Sequence, residues 1–425
     1  MSPWLGIIAD DVTGACDVAA AVRAAGHATV LKLGVPELFE PLPECDVVVI
    51  GLPIRNAAPD DARGQARAGA MWLRDRGVGT YYQKYCSTFD SSPHGNIGPV
   101  ADALAELVAG WGANAPPIRS VGTPATPTAG RTQYEGHLFV HGRLLSESSL
   151  RDHPLTPMRD PDLVRVLTPQ TRTPVRLVRW GTVQQGARAV QDAALAGDAH
   201  VLVDALTDAD LDVLAQALLS ARTPPLVGGG AGLAGALARA RPPVRAAACE
   251  APPVEPGERL IVSGSLSEAT HAQLAAFTGV RLVVDPLDGG RARCVQTVTG
   301  QLRAAYRERP GTPVLVCAPS DPERVRSYQD RLGPDDAGRL VSGALAEVAA
   351  RAVRDLGVRR LVVAGGETSG AVTRALGVRS LHVGESVSPG VPWTVATGTP
   401  HVALLLKPEN FGPTDLFEQA WAAEP

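Results

Sequence analysis

The chain has 425 residues, which is enough for two or three domains and excludes a peptide hormone or a small disulfide-stapled module. Charged residues make up 20% of it, the formal net charge is -4, and only 4% of the residues are aromatic. This composition disfavours a nucleic-acid groove, which needs cationic tracks and stacking rings. A small-molecule ligand is the better expectation.

The cysteine pattern and the hydropathy indicate the compartment. The six cysteines form no C-x-x-C pair and have no His-x-x-x-His partner, so we expect reduced thiols rather than a structural zinc site. No apolar run is long enough to span a membrane, and the first residues lack the positive segment of a signal peptide. We therefore expect a cytoplasmic protein without a membrane partner.

Short apolar runs alternate with stretches of helical period in the first half of the chain. Three strand–helix pairs are predicted in this way: 5–9 with 14–25, 47–51 with 62–76, and 80–82 with 100–108. A Pro-, Thr- and His-rich segment at 116–161 breaks the pattern and is interpreted as a long loop, either functional or disordered. Three further strands are predicted after it, at 175–178, 201–203 and 226–227. Such alternation is typical of βαβ units and a parallel sheet.

Five prolines without periodicity mark residues 241–257 as a linker between domains. Beyond it the alternation resumes, with strands predicted at 259–262, 281–284, 314–318, 360–364 and 401–406. We therefore predict an α/β protein with two lobes, 1–240 and 258–425, each built on a mainly parallel sheet. A ligand cleft is expected between the lobes.

Asp10 and Asp11 follow the first predicted strand directly and precede a Thr-Gly step into a helix. In an open parallel sheet the carboxyl ends of the strands face the ligand. Two carboxylates there suit polyol hydroxyls, a magnesium ion, or a base that accepts a hydroxyl proton. The alternative is that one of them caps the helix together with Thr13.

A second polar cluster follows the strand predicted at 80–82. It comprises Lys84, Ser87, Thr88, Asp90, His94 and Asn96. Lysine occurs only at positions 32, 84 and 407, because arginine supplies the other positive charges, and this singles out Lys84. Lys84 is expected to pair with a substrate carboxylate, and the hydroxyls and Asn96 to supply neutral hydrogen bonds. A solvated polar loop is the alternative, and Cys86, with no paired base, is interpreted as a packing thiol.

Two further segments of the first lobe carry candidate groups. The irregular segment places two arginines and two histidines in loops, namely Arg131, Arg159, His137 and His153, of which the arginines are able to fork a carboxylate or phosphate. Gly230, Gly232 and Gly235 form a G-x-G-x-x-G pattern. A glycine-rich turn into a helix explains that pattern better than a dinucleotide site, because the acidic residue at the required spacing, Glu250, falls in the linker.

Two strand-to-helix turns of the second lobe are rich in glycine and small hydroxyl residues. They contain Ser263, Gly264, Ser265 and Ser267 in the first turn, and Gly365, Gly366, Glu367 and Thr368 in the second. Backbone amides and hydroxyls at helix starts bind phosphate oxygens. With Lys407 at the end of a nearby strand, the two turns predict a polyphosphate ligand, although there is no P-loop motif.

Together these segments resemble the four-carbon acid sugar kinase family over nearly the whole chain. The resemblance rests on ADDVTGA (9–15), GGGAGLA (228–234), SGSLSEAT (263–270), GGETSG (365–370) and KPENFG (407–412). The stretches 82–104 and 131–167 look like the 3-oxo-tetronate kinase branch. The resemblance implies an N-terminal sugar-acid domain and a C-terminal domain that binds ATP through the two turns and through the loop of Lys407, Glu409 and Gly412. Glu409 departs from the pattern, since glycine is usual there.

The resemblance implies phosphorylation of the C4 hydroxyl of a 3-oxo-tetronate by Mg-ATP. Lys84, Arg131, Ser87 and Thr88 would orient the sugar acid, with Thr13, Asp90 and Asn96 as further binding residues. Asp10 or Asp11 would accept the hydroxyl proton or hold magnesium, whose ligands the sequence leaves unknown. The alternatives are a D-threonate or D-erythronate kinase, a dinucleotide-dependent oxidoreductase and a non-catalytic sensor. A homodimer is compatible with the sequence.

Overall fold

The computed structural model describes residues 2–89, 92–110, 118–152, 156–244, 253–287, 289–408 and 410–423. The chain divides into two compact units, Met1–Cys249 and Glu250–Pro425. Part of the predicted linker, residues 245–252, lies outside the described residues. No helix within these ranges is both long and apolar enough to cross a membrane.

The first unit is a parallel sheet with helices. Its strands within the described ranges are β1 (Leu5–Ala9), β2 (Thr29–Leu33), β3 (Val47–Gly51), β4 (Thr80–Lys84), β5 (Arg119–Thr123), β6 (Arg131–Tyr134), β7 (His137–Val140), β8 (Arg143–Leu144), β9 (Val175–Val178), β10 (Ala199–Val203) and β11 (Leu226–Gly229). Eight of them pair side by side in the order β2-β3-β1-β4-β11-β5-β10-β9, every neighbour parallel. β6, β7 and β8 form a separate antiparallel sheet.

The helices of this unit follow the strands closely. They are α1 (Val12–Ala24), α2 (Pro59–Arg74), α3 (Ile97–Ala109), α4 (Leu163–Leu167), α5 (Trp180–Val183), α6 (Ala187–Ala194), α7 (Asp208–Leu219) and α8 (Ala231–Arg239). Single 3-10 turns lie at Pro127–Ala129, Leu145–Glu147 and Thr168–Gln170. β1 and β3 are buried along their whole length, as their unbroken apolar sequences require of strands covered on both faces.

The second unit is also a mainly parallel sheet with helices, but two strands at one end of its sheet are antiparallel. Its strands are β12 (Glu258–Ser263), β13 (Val280–Val283), β14 (Val314–Cys317), β15 (Val358–Ala364), β16 (Ser380–Ser388), β17 (Val391–Ala396) and β18 (Ala403–Lys407). Its helices are α9 (Glu268–Ala276), α10 (Arg291–Glu308), α11 (Pro322–Leu332), α12 (Pro334–Asp355), α13 (Gly366–Leu376) and α14 (Leu416–Gln419). The order β13-β14-β12-β15-β18 is parallel, and β17 and β16 continue it antiparallel.

The predicted α/β class with mainly parallel sheets is confirmed, but one local prediction is wrong and several strands were not predicted. The segment 116–161 is not one long loop, because it contains β5 in the main sheet and the whole of the small antiparallel sheet. Its short strands alternate buried and more exposed residues, so they lack the apolar runs that identified the other strands. Outside that segment, β2 and the hairpin of β16 and β17 were not predicted either, and the hairpin makes one end of the second sheet antiparallel.

Gly122 shows how tightly β5 and β11 approach each other. It lies opposite Gly228 in the register, and a Cβ at position 122 would overlap the carbonyl oxygen of Gly228. We expect Gly122→Ala to lower the free energy of unfolding by about 3 kcal/mol, since backbone must move to admit the methyl group. Urea denaturation measures this loss. Gly64→Ala in α2 is the matched control, because nothing lies within 4 Å of that Cβ, and it is expected to be neutral or slightly stabilising.

Candidate active site

The carboxyl ends of β1 and β3 bring two acids and an arginine together. Both carboxylate oxygens of Asp10 accept hydrogen bonds from Arg55, from Nε and Nη2, at 2.9 Å each. Nη1 of the same guanidinium lies 3.1 Å from Oδ2 of Asp11. Charge-assisted bidentate pairs of this kind are strong and geometrically specific. Arg55 was missed by the sequence reasoning, although its place just after β3, beside β1, was a usable signal.

Asp11 caps α1. Its Oδ1 accepts a hydrogen bond from the backbone N–H of Gly14 at 2.6 Å, and its Oδ2 accepts one from the Thr13 hydroxyl at 3.0 Å. Burial opposes ionisation, but the charges of Arg55 and Lys84 and these two hydrogen bonds outweigh it and hold the pKa of Asp11 below its ordinary value. The capping alternative therefore describes Asp11 and Thr13.

Lys84 ends β4 as a buried cation. Only 2% of its side chain is exposed, and its Nζ donates to the carbonyl of Tyr85 at 3.0 Å. The ammonium packs closely against α1 at Gly14. A Cβ at that position would lie only 3.2 Å from Nζ. Asp17, one turn further along α1, places Oδ2 at 3.9 Å from Nζ. Sequence reasoning missed Asp17, and its spacing of four residues from Thr13 was the available signal.

The next polar residues of this segment are buried. Nδ2 of Asn96 donates to the carbonyls of Ile54, Arg55 and Ala57 at 2.7, 3.2 and 2.8 Å. Asn96 thus fixes the loop that carries Arg55, and its amide N–H groups are not left for a ligand. Ser87 and Thr88 are buried after β4, and Thr88 Oγ1 lies 2.9 Å from the thiol of Cys86.

A small cavity at this sheet edge gathers several of these groups. Its lining includes Asp10, Arg55, Lys84 and Asn96. Asp90 lies outside the described residues, as does His153. His94 is exposed.

Arg131 reaches the same group of charges from the small antiparallel sheet. It is buried at the start of β6, donates to the carbonyl of Ala129, and its charge acts on Asp17. Asp204, at the end of β10, anchors this hairpin by accepting from Gln133 Nε2 at 3.1 Å and from the N–H groups of Glu135 and Gly136 at 2.8 and 3.0 Å. Asp204 was also missed.

Two other candidates of that segment contact residues of the segment itself. The side chain of Arg159 is 71% exposed and pairs with Asp152. His137 Nδ1 lies 2.8 Å from the carbonyl oxygen of Glu135.

In the second unit, the turns after β12 and β15 lie against each other. A Cβ on Gly264 would overlap Oγ1 of Thr368, and one on Gly365 would come within 3.3 Å of Cβ of Ser265. The glycines are therefore needed for the close approach of the two turns. The hydroxyl of Ser263 is buried there and has no hydrogen-bond partner in the described part of the chain. An unpaired buried donor is costly unless a ligand satisfies it.

The helices that follow these two turns, α9 and α13, begin at the same place. Ser267 caps α9 by accepting from the N–H of Thr270 at 3.2 Å, and its own N–H donates to Ser265 Oγ at 3.2 Å. Gly366 opens α13, and Glu367 after it is exposed and accepts from Ser342 Oγ at 3.0 Å. Two helix N-termini at one sheet edge provide amide donors suited to phosphate oxygens.

Lys407 ends β18 beside these turns and is fully buried. Its Nζ donates to Oγ1 of Thr270 and to the carbonyl of Pro408, both at 2.9 Å. The following loop is held by Gln273, whose Nε2 donates to the carbonyls of Phe411, Gly412 and Pro413 at 3.1, 3.2 and 3.0 Å. Gly412 has φ +85°, which favours glycine. Glu409 lies outside the described residues.

The glycine-rich turn after β11 has a packing explanation. A Cβ on Gly230 would lie 2.6 Å from the carbonyl oxygen of Pro124, and one on Gly232 would lie 2.9 Å from that of Ala125. The hydroxyl of Tyr82 donates to the carbonyl of Gly230 at 2.6 Å. These glycines let α8 pack closely on the chain after β5, as the turn interpretation predicted.

Comparison with known proteins identifies a different domain in each of the two units. Residues 5–237 match the model of a sugar-binding N-terminal domain, and residues 260–417 match that of a nucleotide-binding C-terminal domain. The chain is 44% identical to a protein of Pseudomonas fluorescens named 3-oxo-tetronate kinase, over 98% of this chain and 96% of that one. It is also 44% identical to one of Methylobacterium radiotolerans with the same name, over 99% of both chains.

Two solved structures of similar proteins cover the whole chain. One, described as a putative tRNA synthase of Salmonella typhimurium, has a TM-score of 0.83 at 34% identity and covers 99% of both chains. The other, a protein of Haemophilus influenzae, has a TM-score of 0.72 at 33% identity and covers 98% of this chain and 99% of its own.

A sugar-binding domain followed by a nucleotide-binding domain, in a chain this similar to named kinases, is the arrangement of a two-domain kinase. The chain belongs to the four-carbon acid sugar kinase family. The predicted family and enzyme class are thereby confirmed, and use of ATP follows from them. The dinucleotide-dependent oxidoreductase is not supported.

Proposed function

We propose that this kinase transfers the γ-phosphoryl group of ATP to the C4 hydroxyl of a 3-oxo-tetronate, giving the 4-phosphate and ADP. The relatives named 3-oxo-tetronate kinase match over nearly the full length of this chain. The observation that carries the proposal is the buried Lys84 ammonium at the edge of the sugar-binding domain, among carboxylates and hydroxyls. Such a site suits a small substrate with one carboxylate and several oxygens.

The site residues are assigned roles by their remaining bonding capacity. Lys84 and Arg131 supply positive charge for the substrate carboxylate, and Ser87 and Thr88 supply hydroxyls. Asp10 keeps acceptor capacity beyond its bonds to Arg55, because a carboxylate offers about four lone-pair sites. The catalytic role of Asp10 or Asp11 stays a prediction.

The nucleotide is assigned to the turns after β12 and β15 and to the loop after β18. Ser263, with its unpaired hydroxyl, and Lys407 are the groups best suited to phosphate oxygens. A magnesium ion carried by nucleotide phosphates takes one or two carboxylates and keeps several waters. Glu367 fits that need, because it is exposed beside the turns and one hydrogen bond from Ser342 leaves its other lone pairs available. The ion would neutralise phosphate charge during transfer.

The test is ADP release from Mg-ATP with a panel of 3-oxo-tetronates, D-threonate and D-erythronate, followed by mass detection of the phosphorylated product. We expect turnover with the 3-oxo acids and at least about a hundredfold lower kcat/KM with the plain tetronates, on the scale of a site that reads one polar group. Turnover confined to the plain tetronates would replace the proposed substrate within the same family. Tight binding of the acids without ADP release would favour a sensor.

A further inference from the structure

Three acids lie around Lys84 and Arg55, and they differ in what their oxygens already bind. Both oxygens of Asp10 are held by Arg55, and those of Asp11 are held by Arg55, Gly14 and Thr13. The carboxylate of Asp17 accepts no hydrogen bond from any described residue. Its single ion pair there is the loose one with Lys84 at 3.9 Å.

The carboxylate of Asp17 is largely shielded from water. Its side chain is 13% exposed and lies 3.9 Å from the Lys84 ammonium on β4. A carboxylate removed from water needs hydrogen-bond donors to remain charged at low cost. The donors missing from the protein are those that a polyhydroxylated ligand brings. The position is therefore matched to a substrate hydroxyl.

We propose that Asp17, rather than Asp10 or Asp11, accepts the proton of the substrate hydroxyl that is phosphorylated. The inference rests on the proposed kinase reaction and names a residue of its site. As the bond between the hydroxyl oxygen and the γ-phosphorus forms, the bond from that phosphorus to the β,γ-bridging oxygen breaks. The hydroxyl proton moves to a carboxylate oxygen of Asp17, and ADP leaves with the bonding electron pair.

The electrostatic surroundings agree with this role. Burial raises the pKa of Asp17 to about 6, although the charge of Lys84 draws it down. A base with a pKa near the working pH is well suited to general base catalysis. The titratable groups that act on or are affected by Asp17 come from its own helix and from two strands: Asp11 and Cys16 on α1, Tyr82 and Lys84 on β4, and Arg131 on β6.

The test compares Asp17→Asn with the wild-type enzyme on the acid that the panel identifies. Asparagine keeps the size of the side chain but is not a base, so we expect kcat to fall about a hundredfold. The affinity for ATP, measured by titration calorimetry on the full chain, is expected to stay unchanged. Asp192→Asn is the matched control, because Asp192 is an exposed helical aspartate paired with Arg188, and it should keep wild-type kcat.

A pH profile separates proton transfer from a positioning role. Wild-type kcat/KM for the sugar acid should rise about tenfold per pH unit below about pH 6 and level off above it, because the ionised form of Asp17 is the active one. This acidic limb should disappear in Asp17→Asn. Asp17→Glu should recover part of kcat and show the limb again.

The possible failures are distinguishable. A silent wild-type enzyme on the whole panel overturns the proposed function. An active wild-type enzyme with near-normal kcat in Asp17→Asn overturns the role of Asp17 alone. A raised KM with the acidic limb retained also overturns it, since Asp17 would then only position Lys84. If Asp17→Asn does not fold, a wild-type profile without a limb near pH 6 overturns the inference by itself.

Discussion

Lys84→Met is expected to lower kcat/KM for the sugar acid by about a thousandfold, because truncating a buried, hydrogen-bonded charge costs about 2–5 kcal/mol of binding energy. The ammonium lies within reach of Asp17 and of the Tyr85 carbonyl, with Gly14 leaving room for it. Steady-state kinetics with the sugar acid varied measures the loss. Binding of ATP should not change, since the predicted nucleotide residues lie in the other unit.

Two further variants show whether the charge or the fold was lost. Lys32→Met removes the other buried lysine of the unit, whose partner is Glu40 at 2.9 Å. It should lower the melting temperature and leave kcat/KM per folded molecule unchanged. Lys84→Arg keeps the charge but enlarges the head group in a space 3.2 Å from the Cβ position of Gly14, so little recovery is expected. Full activity in Lys84→Met would contradict the assignment.

The sequence predicted the main strands because parallel strands buried on both faces leave continuous apolar runs, as in β1 and β3. It also predicted which strand ends carry polar groups. It failed for β2 and β5, whose short sequences are interrupted by polar residues or glycine, for the partly exposed β6 to β8, and for the hairpin of β16 and the fully buried β17. Local pattern therefore identified most of the parallel strands of each sheet but not the antiparallel additions.

The site residues likewise fall into those that the sequence predicted and those that it did not. Asp10, Asp11 and Lys84 could be predicted because each adjoins an apolar run at a strand end. The local signals of Arg55 and Asp17 did not reveal their partners, because those depend on a strand order that the sequence does not give, with β1 between β3 and β4. The contacts of Asn96 also depend on the fold, because its amide N–H groups bond to the backbone near Arg55, while its Oδ1 is buried without a hydrogen-bond partner among the described residues.

Two predictions, the oligomeric state and the cellular location, do not depend on the fold of a single chain. The homodimer and the cytoplasmic location depend on other copies of the chain and on the cell. They stay predictions.

Lys407→Met is expected to lower kcat/KM for ATP by about a thousandfold and to leave binding of the sugar acid unchanged. Lys407 is the only lysine of the second unit, and its fully buried ammonium is held at the phosphate turns by Thr270 and by the Pro408 carbonyl. Methionine has a similar volume without the charge, but it leaves the Thr270 hydroxyl and the Pro408 carbonyl without their donor, so the melting temperature should fall as well. The phosphate role is therefore tested by nucleotide affinity, measured by calorimetry on the folded variant.

The control for this variant is Arg307→Met, which removes an exposed positive charge on α10 of the same unit. It should not alter the affinity for ATP, because charges in high dielectric contribute little and are screened. Unchanged ATP affinity in Lys407→Met would contradict the phosphate role and leave Lys407 as a structural donor to Thr270. Weak binding in Lys407→Met beside normal binding in Lys84→Met would assign one buried lysine to each substrate.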